Sequence, residues 1–144
     1  MKEKVNSKIQ QSLDEKFGHD TLISLATISN GVPYVRIIDS YYENGVFYAM
    51  TYSNTNKMKQ IQENPQVAIC GDWFTAHGIG ENLGHPCDEK NLDINSKLKT
   101  VFSNWYYDRY SCDTDSNVCI LGIRLTDAVL FHDGEEFDID FTNN

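Results

Sequence analysis

The sequence predicts an α+β fold in a single domain, residues 1–144, built on an antiparallel sheet of about six strands with two or three flanking helices. Two-residue turn signals separate β-rich segments at Asn30-Gly31, Asn44-Gly45 and Asp133-Gly134. Such short turns join antiparallel strands. Helical periodicity is confined to a few segments between the strands. A chain of 144 residues suits one domain that can bury a core.

The first element is a helix with one apolar stripe. Val5, Ile9, Leu13 and Phe17 recur every four residues, and Gly18 follows them. This spacing places the four side chains on one helix face, and the glycine predicts the C-terminal end. We expect this helix to pack against the sheet.

Three strands are predicted next. They have the sequences TLISLATIS from Thr21, PYVRIIDSYY after the first turn, and VFYAMTY after the second turn. These segments are rich in β-branched and aromatic residues, as strands are. Their tight connections predict an antiparallel meander and not a parallel βαβ sheet.

A short second helix is predicted from about Thr55 to Glu63, with Met58 and Ile61 as its apolar pair. Asn64-Pro65 ends it, because the residue before a proline avoids the helical region. Candidate N-cap residues precede it, namely Ser53, Asn54 and Thr55.

The second half of the chain predicts one long strand, one long helix and further strands. The segment QVAICGDWFTAHGIGE, residues 66–81, is the predicted strand, with bends at its glycines. Residues 88–110 are the predicted helix. The expected buried side of this helix consists of Leu92, Leu98, Val101, Phe102 and Trp105. The final strands are NVCILGIRL, AVLFHD and EEFDIDF. Six antiparallel strands commonly close into a barrel, which removes exposed edges.

Charge and composition exclude several classes of protein. The net charge is −9, from 21 acidic and 12 basic residues, and a field of that sign repels nucleic acid and anionic membrane surfaces. No apolar run has the length of a membrane span, and the polar N-terminus lacks the apolar core of a signal peptide. Four cysteines without a CxxC pair favour reduced thiols. We expect a cytoplasmic protein with no nucleic-acid or membrane partner.

A candidate anion site lies between Arg36 and Lys57. Lys57 falls in the first turn of the predicted second helix, where a cation opposes the helix dipole unless an anion is bound there. Arg36 lies on a preceding strand and can grip the same anion with two parallel N–H bonds. The alternative is an ordinary surface lysine beside ordinary capping residues.

The same segments resemble a known family. The stretches VRIIDS, FYAMT and TNKMKQIQENPQVAI are similar to the pyridoxamine-5′-phosphate-oxidase-like FMN-binding split barrels, in order and in approximate spacing. The stretches HGIGE and LGIRLTDAVLFHDG extend the resemblance to about two thirds of the chain. The chain looks most like the short general-stress or flavoredoxin-like members. The nitroimidazole-resistance (Nim-type) members are a further branch.

The resemblance implies a split β-barrel that binds flavin mononucleotide (FMN) at the interface of a homodimer. It assigns the phosphate to Arg36, Lys57 and Thr55, with Asn56 in place of the family's arginine. By the same resemblance Thr51 contacts the phosphate or the ring, and the backbone of Ile37 and Ile38 flanks the ring. The second subunit is expected to contribute from the Trp73–His77 strand or the Trp105 region.

The function implied is that of an FMN-dependent oxidoreductase acting on a small substrate or electron donor. No catalytic acid or base is predicted, because the flavin itself carries the redox chemistry. Vitamin B6 oxidation is not implied, because FDIDFTNN stands where that activity's Arg-x-His-type motif is expected. One alternative is a non-enzymatic sensor of the same fold that binds flavin, deazaflavin or haem. The other is a small metal-binding domain using Cys70, His77, His85 and Cys87.

Overall fold

The structure is a computed structural model that describes residues 2–109 and 115–142. The strands in this part of the chain are β1 (Glu3–Lys4), β2 (Thr21–Ser29), β3 (Val32–Glu43), β4 (Val46–Tyr52), β5 (Gln66–Gly71), β6 (Phe74–Asn82), β7 (Val118–His132) and β8 (Glu135–Asp140). The helices are α1 (Ser7–Phe17), α2 (Asn56–Glu63), α3 (Leu92–Val101) and α4 (Tyr106–Arg109), and a 3-10 turn covers Glu89–Asn91.

Six of the strands form a closed antiparallel barrel, which confirms the predicted class. The strand order is β7-β4-β3-β2-β5-β6, and β6 pairs with β7 to close the ring. The two remaining strands lie outside it: β8 pairs with β7, and β1 pairs in parallel with β8. Closure leaves no free edge on any of the six barrel strands.

Helix α1 packs into the barrel through the predicted stripe. Ile9, Leu13 and Phe17 are fully buried, and the ring of Phe17 lies 4.9 Å from that of Phe74 between centroids. The helix ends where predicted, at Gly18. A Cβ atom there would lie 2.5 Å from the carbonyl oxygen of Asp14, so only glycine fits.

The three predicted hairpin turns are confirmed by their backbone angles. Both residues of Asn30-Gly31 and of Asn44-Gly45 have positive φ, and so do both residues of Asp133-Gly134. Two successive left-handed residues define the turn that matches the twist of antiparallel strands. Helix α2 also begins and ends within one residue of its predicted bounds, with Thr55 as N-cap and Asn64 as C-cap.

The predicted long strand over residues 66–81 is wrong, because the segment contains a hairpin. Strand β5 ends at Gly71 and β6 begins at Phe74. Trp73 adopts a φ of 52° to make the turn. Asp72-Trp73 lacks the Asn-Gly or Asp-Gly signature, so a turn there is hard to predict from local residues. The bend expected at Gly78 is present as a register shift between His77 and Gly78.

The predicted long helix over residues 88–110 is interrupted. The described part contains the 3-10 turn, α3, and then α4, which begins at Tyr106. Leu98 and Phe102 are buried as expected, whereas Leu92 is 53% exposed. The interruption coincides with Trp105, whose side chain bonds to Asp39 of β3 and so holds the chain against the barrel.

The break expected between NVCILGIRL and AVLFHD is absent. Strand β7 runs for 15 residues without interruption. It pairs with β4 through its first part and with β8 through its last part, and β6 lies along most of its length. At the polar pair Thr126-Asp127, β6 and β8 both pair with Asp127, and the backbone N–H of Phe141 donates to the carbonyl of Thr126. The local sequence does not reveal this pairing.

Two apolar clusters hold the molecule together. One fills the barrel and includes α1 and the apolar residues of α2. The other lies outside the barrel, where α3 and α4 cover β4 and β7. Its buried members are Met50, Leu98, Phe102, Tyr106, Val118 and Ile120. Among residues 2–109 and 115–142, no helix is long and apolar enough to cross a membrane.

Candidate functional site

A cavity of about 400 Å³ lies where β3 and β4 meet α2 and the segment between α3 and α4. Its volume falls in the range of small-molecule sites. Four of the seven predicted cofactor residues line it, namely Ile37, Ile38, Thr51 and Lys57. The other lining residues are Leu22, Asp39, Ala49, Met50 and Trp105.

Lys57 brings a half-buried positive charge to this cavity. It lies in the first turn of α2, where no acidic residue is present and the N-cap Thr55 makes no side-chain capping bond. Burial lowers the pKa of Lys57, and the nearby charge of Arg36 lowers it further. No side chain or carbonyl in the described part of the chain bonds to its ammonium group. Two cations therefore lie close together, and neither forms an ion pair with a carboxylate of the described residues.

Arg36 is held in place by neutral groups. Its Nη1 donates to the carbonyl of Leu25 at 3.2 Å and to Oγ1 of Thr27 at 2.8 Å. Its Nη2 donates to Oε1 of Gln60 on α2 at 2.9 Å. A guanidinium has five N–H donors, so the remaining ones are available to a ligand. Burial lowers the pKa of Arg36, as expected for a cation that no carboxylate neutralises.

Gln60 and Thr27 are functional neighbours that the sequence prediction missed. Thr27 is fully buried and donates its hydroxyl to Oε1 of Gln60 at 2.6 Å. The same oxygen receives Arg36, so this trio fixes the guanidinium against α2. A buried threonine facing a strand arginine is a weak signal, because strand pairing must be known before the contact can be inferred.

The three predicted residues with hydroxyl or amide side chains have different placements. Thr51 is buried on β4 and lines the cavity. Thr55 donates its hydroxyl to the carbonyl of Tyr52 at 2.9 Å, so its oxygen is available only as an acceptor in this rotamer. Asn56 is exposed at the helix start. The structure thus brings Lys57 and Thr51 into one cavity, with Arg36 beside them and Asn56 facing solvent.

Asp39 is a further titratable group in the cavity that the sequence prediction missed. Its Oδ2 accepts a hydrogen bond from Nε1 of Trp105 at 2.8 Å. Burial, reinforced by the carboxyl group of Asp20, raises the pKa of Asp39 to about 7. A carboxyl group at an outward-facing strand position is ordinarily solvated, so its burial is not predictable from the sequence. Of the two regions expected to contribute from a second subunit, Trp105 lines the cavity of its own chain. Trp73 is 72% exposed.

The cysteine and histidine residues considered as metal ligands do not converge. His77 pairs with Asp127 through Nδ1 at 2.9 Å, and Nδ1 of His85 accepts the backbone N–H of Cys87. Cys87 is disulfide-bonded, which corrects the expectation that all thiols are reduced. Cys70 and Cys119 are free. A different group in the described chain, Glu15 with His132 and Asp133, has ligand atoms within 4.8 Å of one another.

The cavity opens beside exposed apolar surface. We call this surface the β2–β3 face. Its large exposed residues are Leu22, Ile28, Val35 and Ile37, which the strand register places on one side of the sheet. Leu22 and Ile37, which line the cavity, are 64% and 68% exposed. A contiguous apolar surface beside a pocket is typical of a surface that another molecule covers.

Comparisons with known proteins agree with this architecture. The sequence matches the profile of the family described as pyridoxamine 5′-phosphate oxidase over residues 9–117. It is 26% identical to general stress protein 26 of Bacillus subtilis (strain 168) over 129 residues, which cover 89% of this chain and 91% of that protein.

Two solved structures share the fold at low sequence identity. One is a FAD-binding protein from Mesorhizobium loti, with a TM-score of 0.64 and 16% identity over 86% of this chain and 92% of that chain. The other is a haem-binding protein from Mycobacterium smegmatis, with a TM-score of 0.63 and 14% identity over 91% of this chain and 56% of that chain.

Proposed function

Because the chain belongs to the pyridoxamine 5′-phosphate oxidase family, we propose that it is an FMN-binding flavoprotein that acts as an oxidoreductase on a small substrate. The observation that carries this proposal is the half-buried ammonium of Lys57, which has no hydrogen-bond or ion-pair partner among the described residues and lies near a second cation, Arg36. Burying two like charges without a counter-ion is unfavourable. A phosphate group supplies the missing negative charge.

The residues around the cavity fit both halves of FMN. Lys57, the remaining N–H groups of Arg36 and the uncapped N-terminus of α2 suit a phosphate, because each offers donors and positive charge. Ile37, Ile38, Met50 and Trp105 give the rest of the cavity an apolar wall, which suits a flat aromatic ring. Asn56 supplies no positive charge, so phosphate binding depends on Arg36 and Lys57.

These positions indicate what the cofactor and the protein would each contribute to the reaction. A bound flavin supplies the hydride or electron transfer, and the protein supplies binding, orientation and electrostatics. Arg36 is kept in one orientation by Thr27 and Gln60. The apolar wall excludes water from the ring. The described lining contains two ionisable side chains, Lys57 and Asp39, and together with the nearby Arg36 they set the local electrostatic potential.

We also propose that the protein acts as a homodimer in which a second copy covers the β2–β3 face. That face borders the cavity, and its residues are too exposed for a soluble monomer of this size to leave uncovered at no cost. A two-fold dimer through this face places one cofactor cavity of each subunit at the interface.

A non-enzymatic haem- or flavin-binding role is the second candidate. The structural likeness to a haem-binding protein favours testing it. Haem iron is usually held by a histidine, cysteine, tyrosine or methionine. Of these, the described lining of the cavity offers Met50 alone, and flavin is therefore the better fit.

The test is a titration of the purified protein with FMN, followed by absorbance near ~370 and ~450 nm, where the cofactor absorbs. We expect saturable binding. Lys57→Ala should weaken it by about 1–3 kcal/mol, the value of a lost charged hydrogen bond. Lys59→Ala, an exposed lysine of the same helix, is the matched control and should bind normally.

The outcome separates the candidates. A protein that neither carries nor binds FMN contradicts the proposal, and a Soret band supports haem. Oxidation of a nicotinamide donor by the FMN-loaded protein supports an oxidoreductase, whereas binding without turnover supports a sensor.

A further inference from the structure

The part of the cavity that we assign to the flavin ring contains a carboxyl group. Phosphate binding does not explain its presence. Asp39 follows Ile38 on β3 and lines the cavity. Its Oδ2 is bonded to Trp105, but Oδ1 is buried and has no hydrogen-bond donor within the described residues. Buried polar atoms are nearly always paired. An orphaned carboxylate oxygen therefore calls for a proton or a ligand.

The groups around Asp39 explain where a proton would reside. Asp20, between α1 and β2, lies close enough for the two carboxyl groups to share a hydrogen bond, and one of the two must be protonated to form it. Trp105 adds a neutral donor, and β4 contributes no ionisable group to the cavity. Lys57 lines the same cavity from α2. His19, next to Asp20, is the other titratable side chain of that connecting segment.

We infer that Asp39 is the residue that selects the charge state of the ligand's ring. As a carboxylate Asp39 disfavours an anionic ring, and when Asp39 is protonated its own contribution to that penalty is removed. Flavin is neutral when oxidised and anionic when reduced at alkaline pH, so Asp39 favours the oxidised form there. The inference rests on the proposed function, because it requires the ring to occupy this cavity.

The first experiment needs no ligand. Trp105 reports on Asp39 through their hydrogen bond, and Trp73→Phe removes the other tryptophan of the chain. We expect the Trp105 fluorescence of that variant to titrate with a midpoint near pH 7, and to lose this transition when Asp39→Asn is added. Asp20→Asn should lower the midpoint. His19→Gln should leave the transition in place, which excludes the neighbouring histidine as its source.

The second experiment measures the preference for oxidised over reduced FMN directly. The ratio of the Kd for reduced FMN to the Kd for oxidised FMN is determined anaerobically in the natural protein and in Asp39→Asn. At pH 8.5 we expect the substitution to lower this ratio about tenfold, the effect of one nearby charge in a partly solvated site. At pH 5.5, where the pair is protonated, the ratio should be the same in both proteins.

The outcomes of the two experiments distinguish a failure of this inference from a failure of the proposed function. A flat fluorescence titration between pH 5 and 9 overturns the inference whether or not FMN binds. Normal FMN binding with equal ratios for the two proteins at pH 8.5 also overturns it and leaves the flavoprotein proposal standing. Failure of FMN to bind at all overturns both.

Discussion

Lys57 and Arg36 show how single residues can carry a functional argument. A lysine in the first turn of a helix is common, and the sequence alone leaves a surface role open. The structure adds two facts that the sequence does not contain: Lys57 is half-buried, and Arg36 is near enough to depress its pKa. The pairing partners Thr27 and Gln60 lie 9 and 24 residues from Arg36 along the chain. Such contacts become visible only when the fold is known.

Asp39 leads to a prediction about stability at the same scale. Its pKa of about 7 in the folded state lies above its ordinary value of 3.8. The folded protein therefore binds this proton more tightly than the unfolded chain does. The associated stabilisation is complete at acidic pH below the ordinary pKa and is lost as the pH rises through about 7.

Asp39→Asn should accordingly flatten the pH dependence of the free energy of unfolding. Between pH 5 and pH 8 the free energy of unfolding of the natural protein should fall by on the order of 1 kcal/mol more than that of the variant. This figure is reduced from the full linkage value because Asp39 is partly exposed. Urea unfolding followed by circular dichroism at both pH values measures this. Asp93→Asn, at an exposed position of α3, should behave like the natural protein, and an equal slope for Asp39→Asn would refute the assignment.

Individual elements were predictable where local chemistry decides them. The Asn-Gly and Asp-Gly turns, the apolar stripe of α1 and the Asn64-Pro65 end of α2 depend on a few adjacent residues. The Asp72-Trp73 hairpin and the uninterrupted β7 do not, because each depends on pairing with distant strands: β5 pairs with β2, and β6 pairs with β7. The interruption before α4 likewise involves a distant contact, the hydrogen bond from Trp105 to Asp39 of β3.

Helix α2 offers a prediction at the scale of an element. Ile61 is 3% exposed, and its Cγ2 would lie 3.0 Å from a Cβ at Gly80 of β6. This close approach sets the position of the helix on the barrel. Ile61→Ala should lower the free energy of unfolding by about 2–5 kcal/mol through lost burial and a cavity.

Denaturant unfolding of Ile61→Ala measures this effect. Gln62→Ala, exposed on the same helix, is the control and should change stability by less than about 0.5 kcal/mol. An unchanged free energy of unfolding for Ile61→Ala would mean that this contact does not hold α2 on the barrel.

The whole molecule presents the β2–β3 face to solvent, and the proposed dimer is the consequence. Exposed and buried residues alternate along β2, whereas β3 begins with a run of exposed residues. Outward-facing apolar residues in a sequence do not by themselves reveal a partner. The structure adds that no other element of the described chain covers this face.

Val35→Asp should therefore disrupt the dimer and weaken FMN binding together. Val35 is 71% exposed at the centre of the face, and a buried, unpaired charge there opposes association. Sedimentation or light scattering should give the mass of a dimer for the natural protein and of a monomer for the variant. Leu92→Asp, 53% exposed on α3, should remain dimeric. A natural protein that is already monomeric would contradict the prediction.

The most direct measurement compares FMN with riboflavin, which has the same ring without the phosphate. If Lys57 and Arg36 hold the phosphate, the natural protein should bind FMN at least about tenfold more tightly than riboflavin, since a charged hydrogen bond contributes about 1.5–3 kcal/mol. Lys57→Ala should remove most of that preference by weakening FMN alone. Equal affinities for FMN and riboflavin in the natural protein would show that the two cations do not bind a phosphate.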